Sequence, residues 1–395
     1  MKELITTNIL IIGKSGVGKS SLLNYIFGKE VEKTGTGKPV TKKGIFPHEY
    51  EYDPSFHLNI YDTWGLEPDK SEEWEALIVN EVHKHDKLKV NEWFSTIIFC
   101  ISAAGGPLHD FEINVLKKLL KEENQILVVI TKTDANNRKA AENKKTTIIK
   151  ETGIDDNCVI LANSVKKKII SGEIIEPYGR TQLLSCIIHN LWMTYKKKTP
   201  YIIRKNVDYR MSSVVESIHN HIDGIRISIL KRDLDLDTAE EQVNQMYKDS
   251  IDDIFDYMKN AFNESISYFN SLSKKYIQIE LDFRKNSDDE IFKIDFDKDY
   301  LNEIDSKFLE ISVLHNEIYQ LCFKEQVTRE LIKEVLIKLR NFFRTKKKLK
   351  TELKKIIDAS IIRSLNYIYQ ELDTVVEKIN SIDFDEIYVH TETTN

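Results

Sequence analysis

Apolar residues fall in two rhythms along this 395-residue chain, and the change of rhythm divides it. In the first half, short and almost wholly apolar runs alternate with amphipathic stretches. Asn8–Ile12, Phe56–Tyr61, Thr96–Ile101, Ile126–Ile130 and Cys158–Leu161 are predicted as buried strands, being too short and too evenly apolar for one-faced helices. Ser20–Phe27, Trp74–Lys87, Phe111–Lys121 and Arg138–Glu151 are predicted as the helices between them. Strands and helices in alternation give an α/β domain with a mostly parallel sheet and helices on both faces. Within Glu49–Phe56, Asp53-Pro54 is predicted as the tip of a hairpin, so one edge strand runs antiparallel.

Beyond Pro200 the apolar spacing becomes helical. Ile251, Phe255, Met258, Phe262, Ile266 and Phe269 recur every three or four residues. The same holds for Ile311 to Leu321, for Ile332 to Phe342, and for Leu353, Ile357, Ile361, Leu365, Ile368, Leu372, Val376 and Ile379. Such one-face stripes predict an all-α, elongated bundle or coiled-coil-like domain. The acidic stretch Asn286–Asp299 is expected to be a loop between helices, and the tail after Tyr388 to fray.

Turn-forming residues place the boundary. All seven prolines lie at or before Pro200, and of fourteen glycines only Gly224 follows it. Only long helices dispense with both. The linker is expected at Lys196–Lys205, between a domain of residues 1–198 and a helical domain of residues 205–385. The lysine clusters Lys166–Lys168 and Lys196–Lys198 are expected as solvated turn and linker. The net charge of −6 argues against a general nucleic-acid binder. Four scattered cysteines (Cys100, Cys158, Cys186, Cys322) point to reduced thiols in a cytoplasm-like compartment, and the N-terminus lacks a signal-peptide layout.

The first chemical motif follows the first strand. Gly13-Lys14-Ser15-Gly16-Val17-Gly18-Lys19-Ser20 fits the pattern G-x-x-x-x-G-K-[ST] between an apolar strand and an amphipathic helix. Its backbone N–H groups, continuing to Ser21, can curl around a β-phosphate, and the helix dipole adds to the attraction. Lys19 would reach the β- and γ-phosphates and the Ser20 hydroxyl would ligate Mg²⁺. Asp62-Thr63-Trp64-Gly65 ends a later strand and fits D-x-x-G, where Asp62 would hold Mg²⁺ through water and the Gly65 amide would meet the γ-phosphate. Thr131-Lys132-Thr133-Asp134 fits [NT]-K-x-D. Its aspartate would accept from guanine N1–H and N2–H₂, donors that adenine lacks, with Lys132 along the base. The alternative for Asp134 is a helix N-cap.

The order GKSGVGKS, PVT, DTWG, TKTD resembles the translation-factor-related class of P-loop GTPases. Within it the chain is similar to the Era/septin-like branch, which includes ribosome-binding-type bacterial GTPases and immunity-associated GTPases. Gly35–Thr41 is similar to that branch's switch I and Phe94–Asp110 to its next strand and loop; the likeness covers residues 5–195. It implies GTP/GDP and Mg²⁺ as cofactors and makes Thr41 the switch I threonine, with Thr34 and Thr36 as rivals. Lys19, Thr41 and Gly65 would then act on the γ-phosphate, Ser20, Thr41 and Asp62 on the metal. Ala162-Asn163-Ser164 stands where relatives carry S-A-K, offering Asn163 and Ser164 to the base.

Three departures qualify the resemblance. Trp64 replaces the usual proline of D-T-P-G. Leu66 stands where the Ras-like group has its water-positioning glutamine, so slow intrinsic hydrolysis is expected, with Glu67 a weak substitute. Gly16 occupies the position of the asparagine of potassium-activated relatives. The expected partner is a protein, or a second copy meeting through the G domain and the helices. Three readings share this base: a regulatory switch, a dynamin- or septin-like assembly enzyme, and a GTP-binding scaffold that barely hydrolyses. Peripheral membrane contact stays open without being indicated: the basic stretch Arg340–Lys355 could dock on acidic lipid or RNA, but reads first as a charged helix face crossed by the apolar stripe. His83 and His85 lack the partners of a metal site, and no nucleophile–histidine–acid set is present.

Overall fold

The computed structural model describes residues 4–30, 45–63, 71–104, 106–134, 137–168, 174–224, 234–285 and 346–381. These residues divide into two units, the first made of described residues up to 198 and from 265 to 285, the second of those from 199 to 264 and from 346 to 381. Each is described by itself.

The first unit is built on a six-stranded sheet. Its strands are β1 (Ile5–Ile12), β2 (Ile45–Asp53), β3 (Phe56–Thr63), β4 (Phe94–Ser102), β5 (Ile126–Thr131) and β6 (Val159–Leu161). The order is β2-β3-β1-β4-β5-β6. All neighbours are parallel except β2 and β3, the expected hairpin turning at Asp53-Pro54. Its turn is closed by Asp53, which accepts from the Ser55 amide at 2.6 Å. The central strands β4 and β5 carry unbroken apolar runs because helices cover both their faces: Ile97 to Ile101 and Ile126 to Ile130 are all buried.

The helices are α1 (Lys19–Phe27), α2 (Ser71–Asp86), α3 (Asp110–Lys121), α4 (Arg138–Thr152) and α5 (Arg180–Met193). A two-stranded excursion, β7 (Lys167–Lys168) with β8 (Ile174–Ile175), stands between β6 and α5. The run Lys166–Lys168, expected as a turn, therefore partly forms a strand. β1 pairs with β3 on one side and β4 on the other, so the chain leaves it in opposite directions and opens a crevice at the carboxyl edge.

The units divide between Lys198 and Thr199, within the expected linker, but the backbone there is helical: α5 is followed by a π-helical turn, Thr194–Lys198, and then by α6 (Thr199–Gly224). Lys198 is not solvated: it is 1% exposed, lies 2.7 Å from Asp86 at the end of α2 and donates to Asn124 Oδ1 at 2.5 Å. A buried ammonium needs such partners, since an unpaired one would cost several kcal/mol, on the order of the usual buried-ion penalty.

Helix α7 (Leu234–Lys285) contributes to both units, its residues from Ser265 onward belonging to the first. There Tyr276 is fully buried against Phe56 and Phe27, and Tyr268 donates to the Thr6 carbonyl at 3.1 Å. Burial pushes the Tyr276 phenol up to about 12. Thr6, Phe56 and Thr96 lie at or near the amino ends of β1, β3 and β4, so this segment packs on the sheet edge opposite the crevice.

The second unit holds α6, the first part of α7 and α8 (Lys346–Asn380). α6 and α8 run antiparallel, as the pairs Arg204–Asp373, His219–Asp358 and Asp223–Lys354 require. The expected stripes face inward: Ile251, Met258 and Phe262 on α7, and Ile357, Ile361, Ile368, Leu372 and Ile379 on α8, are buried. Phe255, Leu365 and Val376 are half-buried, with Ile254 and Val375 taking the deeper positions. The stripes between Ile311 and Phe342, the acidic stretch Asn286–Asp299 and the tail lie outside the described residues.

Candidate functional site

The phosphate-loop motif turns between β1 and α1. Gly13 has φ +155, and a Cβ there would stand 2.6 Å from the Cys100 carbonyl oxygen, so only glycine fits against β4. Gly18, the N-cap of α1, has φ +108, which L side chains rarely adopt. Val17 is buried and anchors the loop; Ser15 and Gly16 are exposed; Lys14, Ser20 and Ser21 are half-buried.

Lys19 is 9% exposed and donates to the Gly13 carbonyl at 3.0 Å. Its Nζ lies 3.4 Å from Asp62 Oδ1, on the neighbouring strand β3. That oxygen is buried and completes no hydrogen bond among the described residues. Burial pushes the Asp62 carboxyl above its usual range, and the nearby Lys19 charge offsets only part of the effect. A buried carboxylate oxygen short of donors, beside a phosphate-loop lysine and a half-buried Ser20, is a donor set suited to Mg²⁺. Asp62 thus meets the residue next to Ser20, Lys19. Thr34, Thr36, Thr41, Trp64, Gly65, Leu66 and Glu67 lie outside the described residues.

Glu112, buried at the start of α3, accepts from the His109 amide at 2.9 Å and pairs with Lys14 at 3.3 Å. This ties the phosphate loop to α3.

The second loop leaves β5. Thr131 Oγ1 donates to the Val17 carbonyl at 2.6 Å, and Lys132 Nζ donates to the Gly16 carbonyl at 2.5 Å. Both side chains of Thr131-Lys132 therefore hold the phosphate loop. Lys132 has φ 57, an uncommon left-handed conformation for a side-chain-bearing residue. Asp134 is buried and accepts from Asn137 Nδ2 at 2.8 Å. It is not the cap of α4, which starts at Arg138 with Asn137 at the N-cap.

The third loop leaves β6. Asn163 is buried, pairs through its backbone with Tyr178, and its side chain donates to the Val165 carbonyl at 2.9 Å. Ser164 is half-buried beside it. Tyr178 Oη donates to the Thr133 carbonyl at 2.7 Å and lies 2.5 Å from Thr133 Oγ1. Sequence patterns gave no sign of Tyr178, which belongs to no motif or stripe.

Helix α2 holds both histidines set aside for metals. His83 pairs with Glu122 at 2.7 Å; His85 is buried, bonded to the Glu92 carbonyl and packed against Tyr61 and Phe94. Cys100, behind the phosphate loop, has its thiol pushed up to about 12 by burial.

Four strand ends thus bring a glycine loop, an acid at the end of β3, a threonine-lysine-x-aspartate loop and an asparagine loop to one edge of the mostly parallel sheet, and the class of fold they define is that of the P-loop proteins. Residues 8–132 match the family described as 50S ribosome-binding GTPase. The chain is similar to GTPase Era of Buchnera aphidicola, 31% identical over 137 residues, 34% of this chain and 44% of that protein. It is similar to cell division control protein 10 of Saccharomyces cerevisiae, 29% identical over 157 residues, 34% of this chain and 48% of that protein. The chain thus spans less than half the length of these relatives. Among solved structures, Toc33 of Arabidopsis thaliana with GDP and Mg²⁺ matches at 19% identity and a TM-score of 0.30 over 44% of this chain and 79% of that one, too low to carry weight.

Proposed function

We propose that the first unit binds GTP and GDP with Mg²⁺ and hydrolyses GTP slowly to GDP and phosphate. One observation supports this above the rest: Lys132 and Thr131 fasten the loop bearing buried Asp134 directly to the carbonyls of Gly16 and Val17. A base reader and a phosphate binder are joined at one edge, at a separation fixed by hydrogen bonds.

Asp134 selects guanine through N1–H and N2–H₂, Lys132 lies along the base, and Asn163 and Ser164 close its other side. Gly13 to Ser21 hold the phosphates, and Lys19 neutralises charge on the β- and γ-groups. Ser20, Asp62 and Thr41 would hold Mg²⁺, which supplies further neutralisation of the phosphate oxygens. In hydrolysis a water oxygen bonds to the γ-phosphorus while the bridging bond to the β-phosphate oxygen breaks. GDP leaves with the electron pair, and the water's proton passes to phosphate and solvent. The Gly65 amide, as the D-x-x-G pattern implies, would meet the γ-phosphate. With Leu66 where a water-orienting glutamine could stand, positioning of the nucleophile falls to other groups and turnover is slow. The helical residues read the nucleotide state for a protein partner.

The test is GTP and ATP turnover per molecule across a wide range of protein concentration. Slow, concentration-independent turnover of GTP alone supports the switch. A specific rate that climbs with concentration indicates that copies assist one another in catalysis. GTP bound but not turned over leaves a scaffold, and equal use of ATP overturns the guanine assignment.

A further inference from the structure

The loop that would read the base sits in a conformation that does not hold itself. Lys132 at φ 57 is strained relative to ordinary backbone, so its neighbours must over-determine it. On the phosphate side this is done by the Lys132 bond to the Gly16 carbonyl. Beyond Asp134, Asn137 holds the carboxylate. Thr133 lies between them, and Tyr178 holds it. The phenol has one proton, which goes to the Thr133 carbonyl; the Thr133 hydroxyl must therefore donate to the phenol oxygen. One side chain meets both the carbonyl and the hydroxyl of the residue before Asp134.

Tyr178 also pairs with Asn163 through two backbone bonds, Tyr178 N to Asn163 O at 2.9 Å and Asn163 N to Tyr178 O at 3.3 Å. This bridge closes the root of the β7–β8 excursion, whose flanks are linked by Lys166 and Glu176 at 2.6 Å. The asparagine loop and the threonine-lysine-x-aspartate loop thus share a single anchor, 45 residues beyond one of them in sequence.

We infer that Tyr178 is a positioning residue for base recognition, setting the Asp134 carboxylate and the Asn163–Ser164 loop at a fixed separation around guanine. This rests on the guanine-nucleotide reading above. Loosening Thr133 frees the Asp134 carboxylate to turn away from the N2 amine, while the phosphate loop, held by other residues, keeps its grip. The effect therefore falls on the choice of base more than on binding of phosphates.

The test is equilibrium binding of GDP, IDP and ADP to the full chain, wild type, Tyr178→Phe and Thr133→Val. IDP lacks only the N2 amine. Tyr178→Phe keeps the ring and the backbone bridge and removes the hydroxyl. It is expected to weaken GDP by about three- to tenfold and to bring the GDP-to-IDP ratio toward one, with the thermal midpoint near wild type. Thr133→Val, which leaves the phenol its carbonyl partner, is expected to show a smaller shift in the same direction. If Tyr178→Phe keeps the wild-type GDP-to-IDP and GDP-to-ADP ratios, the inference is overturned while the guanine reading stands. If wild type itself does not prefer GDP to ADP, both fall.

Discussion

The Arg180 guanidinium, buried at the start of α5, donates to the Glu280 carboxylate of α7 at 2.5 Å. The same guanidinium donates to the Tyr25 and Ile26 carbonyls at the end of α1 and lies 3.7 Å over the Phe283 ring. Thr181 adds a bond to Glu280 at 2.9 Å. A helix that begins at the phosphate loop therefore ends on a charge pair contributed by a segment far along the chain.

Breaking that pair leaves a buried charge without its partner. Glu280→Ala and Arg180→Ala are each expected to cost about 3–5 kcal/mol, and Arg180→Met with Glu280→Leu to restore most of it. Urea unfolding followed by tryptophan fluorescence reads this, because all four tryptophans lie in residues 1–198. A loss below about 1 kcal/mol, the range of exposed pairs, would mean that the pair is not buried in solution.

Two glycines of the phosphate loop should behave differently. Gly13→Ala drives a methyl into the Cys100 carbonyl, whereas a Cβ at Gly16 meets nothing within 4 Å among the described residues and has a φ of +75. Gly16→Ala is expected to cost about 1 kcal/mol, and Gly13→Ala several times that, together with loss of nucleotide binding. Thermal unfolding with and without GDP distinguishes the two. Equal costs would contradict the close approach of the loop to β4.

Asp62 carries a pH signature. Its folded pKa lies above its unfolded value, so the folded nucleotide-free protein binds the extra proton and this group's contribution to stability is lost as pH rises through the folded pKa. Asp62→Asn removes the penalty. It is expected to raise the melting temperature of the nucleotide-free protein at neutral pH, the advantage shrinking as pH falls toward the ordinary carboxylate range. The same variant weakens Mg²⁺-dependent GDP binding. A melting-temperature difference that does not change with pH would contradict a destabilised carboxylate at this position.

What the sequence made legible was what short-range pattern encodes. The glycine loop had to lie between an apolar strand and a helix, and Asp134 had to end β5, because motif, strand and helix are contiguous in the chain. The hairpin at Asp53-Pro54 was readable for the same reason. Tyr178, Glu280 and Lys198 were not. Each acts on a residue 45 to 112 positions away (Thr133, Arg180, Asp86), and an isolated tyrosine, glutamate or lysine carries no periodicity to announce its partner. Three successive lysines, Lys196–Lys198, fit a solvated linker, but the backbone there is helical and turns the third inward. The residues of α7 beyond Ser265 share one helical stripe with those before it, so the pattern could not show that they belong to the first unit.

The most direct test of the account is equilibrium binding of GDP, XDP and ADP to wild type and to Asp134→Asn. Xanthine replaces the guanine N2 amine with a carbonyl, so an asparagine there can accept from N1–H and donate to that carbonyl, while an aspartate cannot. Wild type is predicted to prefer GDP, and Asp134→Asn to prefer XDP, each by about a hundredfold or more. A wild type that binds ADP as tightly as GDP, with Asp134→Asn changing nothing, would contradict the assignment of this edge as a guanine-nucleotide site.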